Sequence, residues 1–248
     1  MLAIIGGSGL AALSNLEVSR REVMPTPYGP PSGALTYGKI RGHDVIFLAR
    51  HGDGHAVPAH EVNYRANVWA LHAQGATHVV SIASVGGIRN DLRPGVLAVP
   101  DQLIDYTHGR AATFFTGGER GVHHIDFTLP YSQLLRTACL AAARQAGENL
   151  VDGGVYAATQ GPRLETAAEI DRLERDGADM VGMTGMPEAA LAREIGLSYA
   201  AIAVVANDAA GRGDSKNSIA MSDLTAVLQQ ALEKVKVILD ELAGFRGD

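Results

Sequence analysis

Short apolar runs at residues 1–5, 45–49, 78–83, 96–99, 153–158 and 200–206 are each bounded by Gly, Pro or Asp, and segments with helical spacing lie between them. A run that is apolar throughout, rather than alternating with polar residues, belongs to a strand covered on both faces. Strands of that kind separated by helices imply a layered α/β architecture built on a central twisted, mixed but mainly parallel sheet flanked by helices. Segment 60–74 places Val62, Ala66, Trp69 and Ala73 on one stripe, 131–146 is rich in Ala and Leu, and 165–176 is charged and amphipathic. Segment 187–195 begins with Pro187 at a first helical position and stops at Gly196. At the C-terminus Ser222 is placed to cap a helix in which Leu224, Val227, Leu228, Ala231, Val235, Ile238 and Leu242 recur at helical spacing. A length of 248 residues also accommodates two small domains, but one domain over 1–248 is expected.

Charge and cysteine content exclude several classes of function. The formal charge of -6 carries no basic footprint of the kind nucleic-acid binding requires. No apolar stretch approaches the roughly 20 residues of a membrane span, and the first residues run into an apolar strand without a basic n-region or a small-residue cleavage site. A cytoplasmic protein is the expectation. Cys139, the one cysteine, leaves no internal disulfide and no thiolate zinc cluster, in keeping with a reduced compartment.

Anion-binding chemistry recurs at the strand ends. Gly6-Gly7-Ser8-Gly9 follows the first strand, so the backbone can approach an anion closely while its N–H groups and the Ser8 hydroxyl donate. The segment lacks the spacing of a dinucleotide fingerprint and the Lys of a P-loop, and a Gly-rich turn after a strand is often only a turn. Arg50-His51 ends another strand, where an Arg fork can clamp a dianion and the imidazole can add a donor; a surface salt bridge is the plainer alternative. Thr184 brings a hydroxyl close to a helix N-terminus. Together they point to the carboxyl edge of the sheet, where ligands of such folds gather. The Pro/Gly-rich stretch 25–33 and the Gly-rich stretch 109–121 are candidate loops near that edge.

Taken in order, Gly6-Gly7-Ser8-Gly9-Leu10, Ala49-Arg50-His51-Gly52, Val62-Asn63-Tyr64-Arg65-Ala66-Asn67, Asp101-Gln102-Leu103-Ile104-Asp105, Gly161-Pro162-Arg163 and Met183-Thr184-Gly185-Met186-Pro187-Glu188 resemble the methylthioadenosine/methylthioinosine phosphorylase branch of the trimeric purine nucleoside phosphorylases. The resemblance implies a homotrimer and reversible phosphorolysis, with inorganic phosphate as co-substrate and no metal or organic cofactor. Matching positions imply phosphate contacts from Ser8, Arg50, His51, Ser84 and Thr184, a ribose contact from Met183, and catalytic roles for Asp208, Arg50 and His51. His124 resembles a residue reaching the 5′ substituent across the trimer interface, although a His123-His124 pair alone reads as surface histidines.

Around the base the chain departs from the adenosine-type pattern. That pattern has an Asp-x-Asp after the last strand; here Asp208 matches the first carboxylate and Ala210 replaces the second. Leu164 stands where those enzymes have Phe, and Gln160 where they have Glu. A 6-amino group donates and a 6-oxo group accepts, so losing a carboxylate favours hypoxanthine. A protonated Asp208 in a dry pocket, or an inward-turned Asn207, would donate to the 6-oxo oxygen. Apolar Val227, Leu228 and Ala231 suit a methylthio group, though they equally read as core stripe. The expected order of substrates is 5′-methylthioinosine, then methylthioadenosine, then inosine or guanosine. Other classes remain: a nucleosidase using water, a non-catalytic purine- or phosphate-binding module, and, more remotely, a dinucleotide-dependent dehydrogenase.

Overall fold

The first strand, β1 (Leu2–Gly6), is buried along its whole length because each of its faces meets a different helical layer. The computed structural model describes residues 1–117 and 121–247. After β1 come β2 (Glu17–Glu22), β3 (Leu35–Ile40), β4 (His43–Ala49), α1 (Tyr64–Ala73), β5 (His78–Gly87), β6 (Leu97–Val99) and β7 (Gln102–Asp105). The chain continues through α2 (Gln133–Gln145), β8 (Val151–Asp152), β9 (Val155–Ala158), α3 (Ala167–Arg175), β10 (Met180–Gly182), α4 (Gly185–Glu194), β11 (Ser198–Asp208) and α5 (Met221–Leu242). The strands form one 11-stranded sheet in the order β2-β3-β4-β1-β5-β10-β9-β7, with β11 paired to β5 and β6, and β8 paired to β6.

Side chains alternate across a strand, and the two cores follow that alternation. Ala3 and Ile5 of β1, Val79 and Ala83 of β5, and Ala201, Ala203 and Val205 of β11 pack with Tyr64, Val68 and Leu71 of α1 and Leu191 of α4. Leu2 and Ile4, Val80 and Ile82, and Ala200, Ile202 and Val204 pack on the other face with Leu135 and Cys139 of α2 and Val235, Ile238 and Leu239 of α5. A smaller core joins Ile170 and Leu173 of α3 to Ala157, Val181 and Ala209. The expected layered α/β architecture is therefore the one observed, with β4, β1, β5 and β11 running parallel side by side.

The structure corrects several local expectations. β2, a fully exposed edge strand reading Glu-Val-Ser-Arg-Arg-Glu, has no apolar run to announce it. It pairs with β3, which turns into β4 through Arg41-Gly42, both at positive φ (48° and 81°), as a two-residue hairpin requires. β7, β8 and β10 are two to four residues long, too short for a periodicity signal. The buried face of α1 is Tyr64, Ala66, Asn67, Val68, Ala70 and Leu71, while Ala73 is exposed, so the stripe is rotated from the one read in sequence. Buried Asn67 accounts for the shift: it exchanges hydrogen bonds with Ser32 (backbone N–H to Oδ1 2.7 Å, Nδ2 to Oγ 2.9 Å) and pins the 25–33 loop. α5 begins at Met221 with Ala220 as its N-cap and no side-chain cap, so the terminus lies just before Ser222 rather than at it.

Ile202 is fully buried at the centre of β11. Ile202→Ala should lower the free energy of urea unfolding by about 2–5 kcal/mol, whereas Val18→Ala on exposed β2 should stay within about 0.5 kcal/mol.

Candidate active site

A gap in the sheet creates the site. β5 pairs with β1 from His78 to Ser81 and with β10 only at Gly86 and Gly87, so Ile82–Val85 are left without a strand partner on that side. The ends of β1 and β4 (Gly6 beside Ala49) close one end of the gap. Antiparallel pairing of Val181 with Gly86 and Met180 with Gly87 carries the chain after β10, Met183-Thr184, back toward Ser84. On its other edge β5 stays paired with β11, whose register slips between Val205 and Asn207 as the strand ends opposite Gly86 and Gly87.

Arg50 fills the base of this gap and is fully buried. Its Nε donates to Glu188 Oε2 (2.7 Å) and Nη2 to Glu188 Oε1 (3.0 Å); Nη2 also donates to Ser81 Oγ, and Nη1 to the unpaired Ile82 carbonyl (3.1 Å). The Tyr199 hydroxyl adds a bond to Glu188 Oε1 (2.8 Å). Burial alone would weaken the guanidinium's hold on its proton, but the adjacent Glu188 carboxylate outweighs it and raises the Arg50 pKa. These bonds use four of the five guanidinium N–H groups. The fifth is on Nη1, and a Cβ added to Gly7 would stand 3.0 Å from that nitrogen and inside the Ile82 carbonyl oxygen's contact radius. Gly7 is therefore glycine because the Gly-rich turn lies directly on Arg50. The surface salt bridge entertained from sequence is replaced by a buried, bidentate pair that directs one N–H at the turn carrying Ser8.

His51 is buried beside Arg50, with Nδ1 2.8 Å from the Val57 carbonyl and its ring 4.4 Å from that of His55. A bond to a carbonyl requires Nδ1 to carry the proton, which leaves Nε2 of the neutral ring as an acceptor. Desolvation, reinforced by the Arg50 charge, lowers the His51 pKa from 6.5 to about 4. The neutral imidazole thus spends its one N–H on Val57 and has only an acceptor, Nε2, left for other partners, where a donor was expected from sequence. Thr184 is the buried N-cap of α4; its side chain makes no capping bond, and its backbone N–H donates to the Tyr156 hydroxyl at 3.3 Å. Ser8 and Ser84 are half-buried.

The opposite side of the gap offers polar groups at base height. Asp208 is buried, and its Oδ2 accepts from Arg93 (3.2 Å) and from the Asp214 N–H (2.9 Å). Both partners donate, so Oδ2 of Asp208 is an acceptor here. Asn207 Nδ2 donates to the Asp208 carbonyl (2.6 Å). Half-buried Met183 packs on Gly161, where a Cβ would lie 2.5 Å from Sδ. Leu164 is 39% exposed and Ala210 half-buried. Glu165, next to Leu164 in the chain, is half-buried, and its Oε1 accepts from Thr159 Oγ1 at 2.7 Å. At the Gly-rich turn, a Cβ on Gly9 would meet Leu232 Cδ1 at 2.9 Å, which brings half-buried Val227 and Leu228 of α5 alongside, while Ala231 is core. His124 is exposed in the segment 121–131, and it is His123 that packs on Phe115 (4.8 Å between rings). Of the 109–121 stretch, residues 118–120 lie outside the described residues.

Residues 1–243 match the family model of the phosphorylase superfamily. The chain belongs to that superfamily. A protein of Xanthomonas campestris described as a "Probable S-methyl-5'-thioinosine phosphorylase" is 53% identical over 98% of this chain and 96% of its own length. The 6-oxopurine nucleoside phosphorylase of Pyrococcus furiosus is 42% identical over 96% of this chain and 90% of its own. Among solved structures, methylthioadenosine phosphorylase from Schistosoma mansoni in complex with adenine superimposes with a TM-score of 0.93 at 32% identity, covering 98% of this chain and 90% of that one.

Two residues of this phosphorylase superfamily member had no role assigned from sequence, although Glu188 stands inside a quoted motif and Glu165 two residues beyond another. Glu188 follows Met186-Pro187 on α4, and its signal was a carboxylate on a helix face otherwise filled by Ala, Leu and Met. Glu165 immediately follows Leu164, and its signal was an acid beside the cap of α3 that is not the capping acid, since Thr166 and Glu169 form the capping box.

Glu188→Ala would strand the buried Arg50 cation and should lower unfolding stability by about 3–5 kcal/mol, read from denaturant melts. Unfolded chains protonate His51 near 6.5 while the folded protein keeps it neutral down to about 4, so the unfolded state binds more protons in that window. Stability should be intact above pH 6.5 and decline as pH falls toward 4, by about 3 kcal/mol for a shift of this size. His51→Gln should flatten that part of the stability-against-pH curve.

Proposed function

We propose that the protein is an S-methyl-5′-thioinosine phosphorylase, acting as one catalytic domain: orthophosphate attacks C1′ of 5′-methylthioinosine and releases hypoxanthine and 5-methylthioribose 1-phosphate. The phosphate oxygen forms the new C1′–O bond, the C1′–N9 bond breaks, and its electron pair leaves with the purine, which takes a proton at N7. Charge develops on both fragments, positive on the sugar and negative on the base, so preorganised groups on each side lower the barrier.

Under this reading phosphate sits in the gap between β1 and β10. Its oxygens are held by the Ser8 turn, the remaining Arg50 N–H, Ser84 and Thr184, and its own O–H is directed at His51 Nε2. Glu188 neutralises Arg50 locally, so the dianion is bound by directed donors more than by net charge. Met183 lies under the ribose. Asn207 and Asp208 face the imidazole side of the purine, and Leu164 covers its face. The partners are small molecules, phosphate is a co-substrate, and a cytoplasmic homotrimer in which His124 completes a neighbour's 5′ pocket accords with the reading.

Glu165 carries the base assignment. Hypoxanthine bears a hydrogen on N1 and adenine a lone pair there, so a carboxylate at that edge accepts from the first and repels the second. Ala210 adds no carboxylate to hold a 6-amino group, and half-buried Val227 and Leu228 present apolar surface for the methylthio end. The high identity to relatives described as methylthioinosine phosphorylases supports the same choice. Methylthioadenosine is the second reading, favoured by the structural likeness to the schistosome enzyme.

Purified protein assayed with methylthioinosine, methylthioadenosine, inosine and guanosine plus phosphate should turn over methylthioinosine fastest; equal or faster use of methylthioadenosine reverses the assignment. Base release without phosphate would instead indicate a nucleosidase, and tight binding without turnover a binding module. Glu165→Gln should cost about 1–3 kcal/mol in the transition state, roughly 10- to 100-fold in kcat/KM for methylthioinosine, and should narrow its advantage over methylthioadenosine.

A further inference from the structure

Arg110 lies in the long stretch between β7 and α2, half-buried, and its guanidinium reaches six acceptors on three separate parts of the chain. Nη1 donates to the carbonyls of Met183 (2.7 Å) and Met186 (2.6 Å) and to the Tyr64 hydroxyl (3.3 Å). Nη2 donates to the carbonyls of Gln160 (2.9 Å) and Thr159 (3.3 Å), and Nε to Gln160 Oε1 (3.2 Å). The cation also lies 5.4 Å from the centroid of the Tyr64 ring.

Two of these backbone segments leave the neighbouring strands β10 and β9, Met183–Met186 next to the gap and Thr159-Gln160 one strand further out. Met183–Met186 carries Thr184 and the ribose-facing Met183; Thr159-Gln160 leads into Gly161 and Glu165. The Thr159 N–H extends the β9–β10 ladder by one bond to the Gly182 carbonyl (2.8 Å), and beyond it the two segments leave regular structure. Met186 is extended (φ -121°, ψ 141°) within the first turn of α4, and β9 has ended at Ala158. A planar fork with donors on both edges can hold carbonyls of two loops in one plane, which an ammonium cannot do. The acceptors are carbonyls and a hydroxyl rather than carboxylates, so among the described groups the Arg110 charge is not cancelled by an ion pair.

We propose that Arg110 is a positioning residue that locks the phosphate-side turn at Met183–Met186 to the base-side turn at Thr159-Gln160, so that phosphate and purine are held at one fixed separation. The proposal rests on the phosphorolysis reading for its catalytic consequence. Reaction requires the attacking oxygen about 3–3.5 Å from C1′, and a misplacement of about 1 Å can cost on the order of 100-fold. Because the fork acts on both turns, its loss impairs use of both substrates at once.

The test uses the full chain with Arg110→Met and Arg110→Lys. Hydrogen exchange of the amides at 159–161 and 183–188 should speed up in both variants while α2 and α5 keep their protection; unchanged exchange at those two segments overturns the proposal whether or not the enzyme is active. In steady-state assays with methylthioinosine and phosphate both varied, each variant should show raised KM for both substrates and a fall in kcat/KM of roughly 30- to 100-fold, with Lys failing to rescue Met. A double-mutant cycle with Thr184→Ala separates positioning from general support. If Arg110 acts through the Thr184 turn, the double variant should be no more than about 3-fold worse than the poorer single variant. Full additivity overturns the proposal. Wild-type protein that splits none of the nucleosides would refute the phosphorolysis reading, and the exchange result would still decide whether Arg110 couples the two turns. Should Arg110→Met fail to fold, Arg110→Lys carries the exchange, steady-state and double-mutant arms, each of which decides the proposal on its own.

Discussion

The buried pair between Arg50 and Glu188 is the constraint around which the rest of the site is arranged. Two fully buried charges are tolerated only when each is hydrogen-bonded to near saturation, and here Ser81, Ile82 and Tyr199 complete the set. The groups come from four parts of the chain: Arg50 directly follows β4, Glu188 is on α4, Ser81 and Ile82 are on β5, and Tyr199 is on β11. The pair therefore fixes α4 against three strands. In doing so it sets the direction of the α4 N-terminus and the place of Thr184. Replacing it by well-packed apolar side chains of similar volume would leave stability little changed.

Much of this was legible in sequence where the signal was local. The six apolar runs fall on β1, β4, β5, β6, β9 and β11, and the five helical segments are the five helices, because burial on both faces and 3.6-residue spacing leave their mark on composition. What escaped was set by tertiary contacts. β2 is polar because it is an edge, β10 is three residues long because its neighbours align it, and Asn67 is buried because Ser32 meets it from a distant loop.

The same division runs through the site. Ser8, Arg50, His51 and Thr184 stood out as anion-binding candidates from their own segments, and Ser84 and Met183 only through the family resemblance; the pairing of β1 with β4 and of β5 with β10 brings these segments to the edges of one gap. The protonation pattern of His51 was not accessible, since it depends on the carbonyl of Val57 across a turn. Nor was the arrangement at Asp208, which Arg93 and the Asp214 N–H settle as an acceptor. Arg110 was invisible for a related reason: an arginine bonded to carbonyls and a hydroxyl, with no carboxylate, leaves no charged partner to read in the sequence.

The unpaired edge of β5 between Ser81 and Gly86 has a mechanical meaning as well as a chemical one. It is a seam where the left-hand strands and the right-hand strands are joined through one shared strand instead of a continuous ladder. Under the proposed function, orthophosphate and sugar lodged there would act as stitches between the two panels. Occupancy then stiffens the whole fold, and apparent melting temperature climbs with the logarithm of ligand concentration once the seam is saturated.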